Sequence, residues 1–169
     1  THAGGSGDDT LVGGTGASQN LGGDDGNDSV QAGSGASQQL SGGIGNDTMV
    51  AGAGNDQFGF AGNGDDSVQF GSGARQFLYG EAGNDTLVGG VGSNQTLYGG
   101  NDADSLFGGN GASQRLLGEA GNDTLVAGGG NNQFLSGGDG NDSLLGGTNN
   151  DSLLGENGND TLSGADGND

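Results

Sequence analysis

Large apolar residues recur along this chain at intervals of nineteen. One file runs Leu11, Val30, Met49, Val68, Leu87, Leu106, Leu125 and Leu144, with Leu162 eighteen further on. A second runs Leu21, Leu40, Leu78, Leu97, Leu116 and Leu135, then Leu153. Each apolar residue sits in a short strand-forming stretch such as Thr86-Leu87-Val88, and glycine-rich segments separate the stretches. One inward position per short stretch predicts a strand, and the fixed long period predicts that each strand lies beside its equivalent one period away.

Aligned on their glycines, the units alternate between nine and ten residues: 4–12, 13–22, 23–31, 32–41, and so on through 127–136. Beyond 136 only nines remain: 137–145, 146–154, 155–163 and a truncated 164–169. The expected fold is therefore all-β, a single solenoid over 1–169. Its coils are nineteen residues long to about 136 and eighteen over 137–169, each with two short strands and two glycine-rich turns. Eight or nine parallel coils at about 4.8 Å each make a rod roughly 40 Å long. Phe58-Gly59-Phe60 interrupts the second file, and the pattern does not say which Phe turns inward.

Two polar files share the period. The sixth position of the nine-residue units is Asp9, Asp28, Asp47, Asp66, Asp85, Asp104, Asp123 and Asp142, followed at eighteen by Asp160. The ten-residue units instead carry Gln19, Gln38, Gln57, Gln76, Gln95, Gln114 and Gln133. Glutamines in register predict an amide ladder, each carbonyl accepting from the amide one coil away. The residue after each aspartate alternates Thr10, Ser29, Thr48, Ser67 through Ser143, and Val12, Val50, Val88 and Val126 stand thirty-eight apart, which suggests duplication of a two-coil block.

Composition sharpens the picture. Forty-five glycines among 169 residues and 28% hydrophobic residues leave only a thin core. The net charge is −20, with Arg75 and Arg115 the only strong cations, so nucleic acid and anionic membranes are excluded as partners. Aspartates about 5 Å apart repel by about 0.8 kcal/mol even at the dielectric of water. The file therefore requires a cationic partner. Eight divalent ions in its eight gaps would take −20 to −4. There is no cysteine to staple the fold and no apolar run long enough to span a bilayer.

The segment Gly80-Glu81-Ala82-Gly83-Asn84-Asp85-Thr86-Leu87-Val88, repeated nearly unchanged over Gly118–Val126, follows the pattern G-G-x-G-x-D-x-U-x, U being a large apolar residue. From about Gly4 to Asp169 the chain resembles the RTX calcium-binding repeats, which implies a right-handed parallel β-roll. It also implies calcium ions between equivalent turns of adjacent coils, held by the sixth-position aspartates and turn carbonyls. About eight ions would line the aspartate file, and Asp151 and Asp169, the only aspartates in the family pattern in the other row, would hold one or two more. Folding on meeting calcium outside the cell, hence secretion, is part of the same implication. The alternative is that these aspartates make only Asx-turns. Asp102 and Asn149 replace the fourth-position glycine of their units, and the second-position acids Asp24, Glu81, Glu119 and Glu156 read as solvated carboxylates. Asp56 stands alone and is expected to bind nothing.

No catalytic constellation can be built around His2, the only histidine, so an enzyme is not expected. Asn-x-Ser/Thr triplets such as Asn46-Asp47-Thr48 are by-products of the repeat. Tyr79, Tyr98, Phe70, Phe77 and Phe107 fall near the middle coils, as cross-strand stacks or as a patch for lateral association. Three functions fit. One is a calcium-loaded extracellular structural segment of a surface layer, fibre or adhesin, which stacks on copies of itself. Another is the secretion and folding module of a larger enzyme or toxin. The third is an ice-binding solenoid, disfavoured because the third-position residues, such as Ser6, Ile44 and Asn63, are irregular.

Overall fold

The computed structural model describes residues 1–169 as eighteen strands and no helix. The odd strands are β1 (His2–Ser6), β3 (Asn20–Asp25), β5 (Gln39–Ile44), β7 (Phe58–Asn63), β9 (Phe77–Ala82), β11 (Thr96–Asn101), β13 (Arg115–Ala120), β15 (Phe134–Asp139) and β17 (Ser152–Asn157). The even strands are β2 (Thr10–Val12), β4 (Ser29–Gln31), β6 (Thr48–Val50), β8 (Ser67–Gln69), β10 (Thr86–Val88), β12 (Ser105–Phe107), β14 (Thr124–Val126), β16 (Ser143–Leu145) and β18 (Thr161–Ser163). Each set forms one nine-stranded parallel sheet in sequence order. The register is nineteen residues, as in Leu87↔Leu106, until β15 pairs with β17 and β16 with β18 at eighteen, as in Leu135↔Leu153 and Leu144↔Leu162. The chain is thus a parallel β-solenoid of about nine coils.

Both apolar files turn inward, because successive side chains of a strand point to opposite faces and each apolar residue is the middle of an out-in-out triplet. Leu11 through Leu144 line the short-strand sheet and Leu21 through Leu135 the long-strand sheet, all buried. Among the residues of the two files only those of the last coil are not fully buried, Leu162 being exposed and Leu153 partly buried. At Phe58-Gly59-Phe60 neither ring enters the core. Gly59 pairs with Leu40 and Leu78 and holds the inward position. A Cβ on Gly59 would lie 2.4 Å from Cδ2 of Leu78 and 3.3 Å from the terminal methyl of Met49. Those two side chains have taken the volume a leucine fills elsewhere.

The two strands of a coil are unequal, which the repeat alone did not indicate. The odd strands run past the ten-residue unit into the first positions of the next nine-residue turn. A positive φ at the second turn position, +124° at Gly43 and +114° at Gly62, lets the strand bulge there and continue pairing. The extra residue of the longer units, at their sixth position, also has a clear role. Ser18, Ser37, Asp56, Arg75, Asn94, Ser113 and Asn132, one per coil, all adopt φ between 53° and 57°. Each is a left-handed residue inserted just before the glutamine, and serine, asparagine and aspartate are among the side chains that tolerate this conformation through local hydrogen bonds.

Candidate metal site

Each sixth-position aspartate closes a turn just before a short strand, and its side chain folds back under that turn. Eight successive links bind the file, each backbone N–H donating to Oδ1 of the aspartate one coil further on. They run from Asp9 to Asp28, then to Asp47, Asp66, Asp85, Asp104, Asp123, Asp142 and Asp160, at 2.6 to 3.0 Å. Oδ2 is different. In Asp9, Asp28, Asp47, Asp66, Asp85, Asp104, Asp123 and Asp142 it is buried without a hydrogen-bond partner. Glycine at the first turn position makes room for it, since a Cβ on Gly80 would lie 2.3 Å from Oδ2 of Asp85 and 2.4 Å from the carbonyl of Gly99.

The turn carbonyls on this side are also free. No backbone N–H donates to the fourth-position carbonyls of Gly7, Gly26, Gly45, Gly64, Gly83, Gly121 or Gly140. The glutamine side shows what those carbonyls lack. There the fourth-position carbonyls of Gly16, Gly35, Gly54, Gly73 and Gly92 accept from Nε2 of Gln38, Gln57, Gln76, Gln95 and Gln114, at 3.0 to 3.4 Å. In one row an amide nitrogen supplies positive density to the turn. In the other, no donor reaches the fourth-position carbonyls or Oδ2.

The charge cannot be sustained as it stands. Burial pushes the carboxyls of Asp66 and Asp104 up to about 7 and those of Asp85 and Asp123 up to about 6. The incoming backbone N–H opposes the shift, and neighbouring carboxylates, such as Asp47 beside Asp66 and Asp142 beside Asp123, reinforce it. Asp47 and Asp142 move the same way, again through burial first. An orphaned buried carboxylate oxygen must acquire a proton or a cation. The donor set is oxygen alone, and no three His, Cys, Asp or Glu side chains converge, so any ion must rely on carbonyls beside the aspartates. That chemistry suits a hard cation such as calcium rather than zinc.

A family profile of the RTX calcium-binding nonapeptide repeat, in four copies, matches residues 3–19, 22–58, 77–95, 109–135 and 136–169. The chain belongs to the RTX calcium-binding repeat family. Its repeats bind calcium, and the buried aspartate file fits that role; repeats of this kind are typically structural rather than catalytic. Of the unmatched stretches 59–76 and 96–108, the second contains Asp102, which holds φ +77° where its neighbours have glycine. No curated protein is similar enough in sequence to count as a relative.

In this RTX chain the glutamine file is a partial ladder. Nε2 of Gln38, Gln76, Gln95 and Gln114 donates to Oε1 of Gln19, Gln57, Gln76 and Gln95 at 3.3, 3.0, 2.9 and 2.8 Å. The steps from Gln57 to Gln38 and from Gln133 to Gln114 are missing, the amides going to turn carbonyls instead, and Oε1 of Gln38 is left without a partner. At the C-terminal end Asp151 and Asp169 enter this row with the aspartate geometry. Oδ1 of Asp151 accepts from the N–H of Gln133 at 3.0 Å, and Oδ1 of Asp169 accepts from that of Asp151 at 2.7 Å. Unlike its counterparts, Oδ2 of Asp151 is satisfied, by the N–H of Gly147 at 3.0 Å.

Sequence reasoning missed two features. Asp56 is not alone, for Arg75 one coil on meets it through Nε at 2.7 Å and Nη2 at 2.9 Å. The fifth-position side chains also form an outer ladder. Oδ1 of Asp8, Asn27, Asn46, Asp65 and Asn84 accepts the N–H of Asn27, Asn46, Asp65, Asn84 and Ala103. The nineteen-residue spacing of Asn and Asp at that position was the available signal. The acids Asp24, Glu81, Glu119 and Glu156 are exposed, and Ser136 donates to Glu156.

Proposed function

We propose that this chain is an extracellular structural segment whose folding is driven by calcium, with one ion in each of the eight gaps of the aspartate file and none between Gln19 and Gln133. The observation that carries this reading is the file of eight buried Oδ2 atoms without partners. Asp9, Asp28, Asp47, Asp66, Asp85, Asp104, Asp123, Asp142 and Asp160 would hold the ions together with turn carbonyls. Calcium supplies charge neutralisation there, and eight ions take −20 to −4. Asp151 and Asp169 would add one or two ions where the glutamine file ends. Secretion fits a chain that stays unfolded where calcium is scarce and orders where it is plentiful.

A role in a surface layer, fibre or adhesin draws on the sheet edges. Copies joined end to end would pair β17 with β1 and β18 with β2 of the next copy in the register already used inside the rod. The module of a larger secreted protein is the alternative, supported by the same repeats. Circular dichroism during a calcium titration, with chelator reversal and calorimetric counting, tests the reading. It predicts reversible gain of β-structure with about eight to ten ions per chain; a chain that remains folded in chelator at neutral pH contradicts it.

A further inference from the structure

Six of the eight aromatic residues stand on one surface, the outer face of the long-strand sheet. One outward column reads Phe58, Phe77, Thr96, Arg115, Phe134, and beside it runs Phe60, Tyr79, Tyr98, Leu117. The rings are stacked nearly parallel, Phe58 on Phe77 at 5.3 Å, Phe60 on Tyr79 at 5.1 Å and Tyr79 on Tyr98 at 4.6 Å. Stacking covers the ring faces along the rod and leaves their edges as a flat apolar strip. The other two aromatics are elsewhere, Phe70 in the core and Phe107 on the short-strand sheet.

Along this strip runs the second turn position. Gly5, Gly43, Gly62, Gly100 and Gly138 occupy it with positive φ, but Asp24, Glu81, Glu119 and Glu156 hold φ of 77°, 80°, 77° and 73° there. Gly100 leaves a gap between Glu81 and Glu119, and a notch of about 300 Å³ opens, lined by Tyr79, Tyr98, Asn101 and both carboxylates. A second notch of about 310 Å³ lies between Glu119 and Glu156 over Gly138, walled by Leu117, Ser136 and Asp139. The notches repeat every two coils, roughly 9 to 10 Å.

The geometry points to a docking face for an extended cationic polypeptide, whose lysine or arginine stems lie along the aromatic strip while their charged heads reach the glutamates that bracket each notch. Charge complementarity selects this occupant. The chain has no lysine, Arg75 is engaged with Asp56, and Arg115 lies over the ring of Phe134 at 4.7 Å, so nothing within the molecule neutralises Glu81 and Glu119. A lysine or arginine stem buries its methylenes on apolar surface while its head stays polar. A second copy would bring the same carboxylates and a like net charge to this face. This face is on the outside of the long-strand sheet, and none of the residues lining its notches belongs to the aspartate file.

The test is fluorescence anisotropy of a labelled lysine-rich peptide, and of its glutamate-for-lysine counterpart, with the full chain in saturating calcium. Two variants accompany it: Glu81→Gly with Glu119→Gly, which places at both positions the residue five other coils carry, and Tyr79→Ser with Tyr98→Ser. The lysine peptide binds the native chain, the glutamate peptide does not, and each double variant weakens binding about tenfold while the circular dichroism spectrum stays the same. Absence of binding, equal binding by the variants, or sedimentation showing that the face instead joins two copies and that Tyr79→Ser with Tyr98→Ser separates them, overturns the proposal. Because the readout is peptide affinity for a folded chain, it remains interpretable even if the calcium count proves different.

Discussion

The backbone N–H of Asp85 donates to Oδ1 of Asp104, one coil away at 2.8 Å, while Oδ2 of Asp104 is buried with no partner. One oxygen thus belongs to the fold, and the other is the one proposed to meet an ion. Replacing Asp104 by asparagine keeps an oxygen for the Asp85 N–H and removes the charge. The expected result is loss of about one to two bound ions and a higher calcium concentration at the folding midpoint. Calorimetry and circular dichroism on Asp104→Asn check both. An unchanged ion count would show that this carboxylate is not a ligand.

On the proposed reading, protons and calcium compete for the same file. Asp66, Asp85, Asp104 and Asp123 rise from 3.8 to between about 6 and about 7 in the folded chain. The folded state therefore binds more protons than the unfolded one across this window, and the stability they contribute without metal is complete below about pH 4 and lost as pH rises through 6 to 7. In chelator, β-structure should decline across that range. With calcium the trend reverses, affinity increasing with pH and binding releasing protons. A pH titration by circular dichroism, with and without chelator, reads both signs.

The glutamine row should respond to mutation without touching the ion count. Gln95 is fully buried, accepts from the N–H of Gly90 at 2.9 Å and donates to Oε1 of Gln76. Gln95→Ala leaves those groups unpaired, at a cost of about 2 to 4 kcal/mol. Thermal melts in saturating calcium should show the loss, while calorimetry finds the same number of ions.

Ala103 interrupts the outer fifth-position ladder. It donates its N–H to Asn84 at 3.2 Å but has no side-chain oxygen to offer the next coil. Beyond the break the ladder resumes, with Asn122 accepting from Asn141 at 2.8 Å. Ala103→Asn should join the two halves and gain about 0.5 to 1.5 kcal/mol, measurable as a higher melting temperature.

Much of this molecule could be read in advance because a solenoid converts sequence period directly into neighbours. Leu87 lies beside Leu106 for the same reason that nineteen residues separate them. The aspartate and glutamine files were visible as columns on that ground alone. What the period could not convey was conformation within a coil. That Ser18 and its equivalents turn left-handed, that the strand of Phe77 runs on through Glu81, and that Gly59 holds the inward place between two phenylalanines all depend on φ angles and on volumes already filled by Leu78 and Met49. The Asp56–Arg75 pair was hidden because its members sit at a position where no other coil carries opposite charges.

The most direct test is a crystal of the chain grown in calcium, with an anomalous difference map collected where calcium scatters. The account predicts one peak in each gap between successive turns from Asp9 to Asp160 and none along Gln19 to Gln133. Featureless density between the aspartate turns, or peaks along the glutamines, would contradict it.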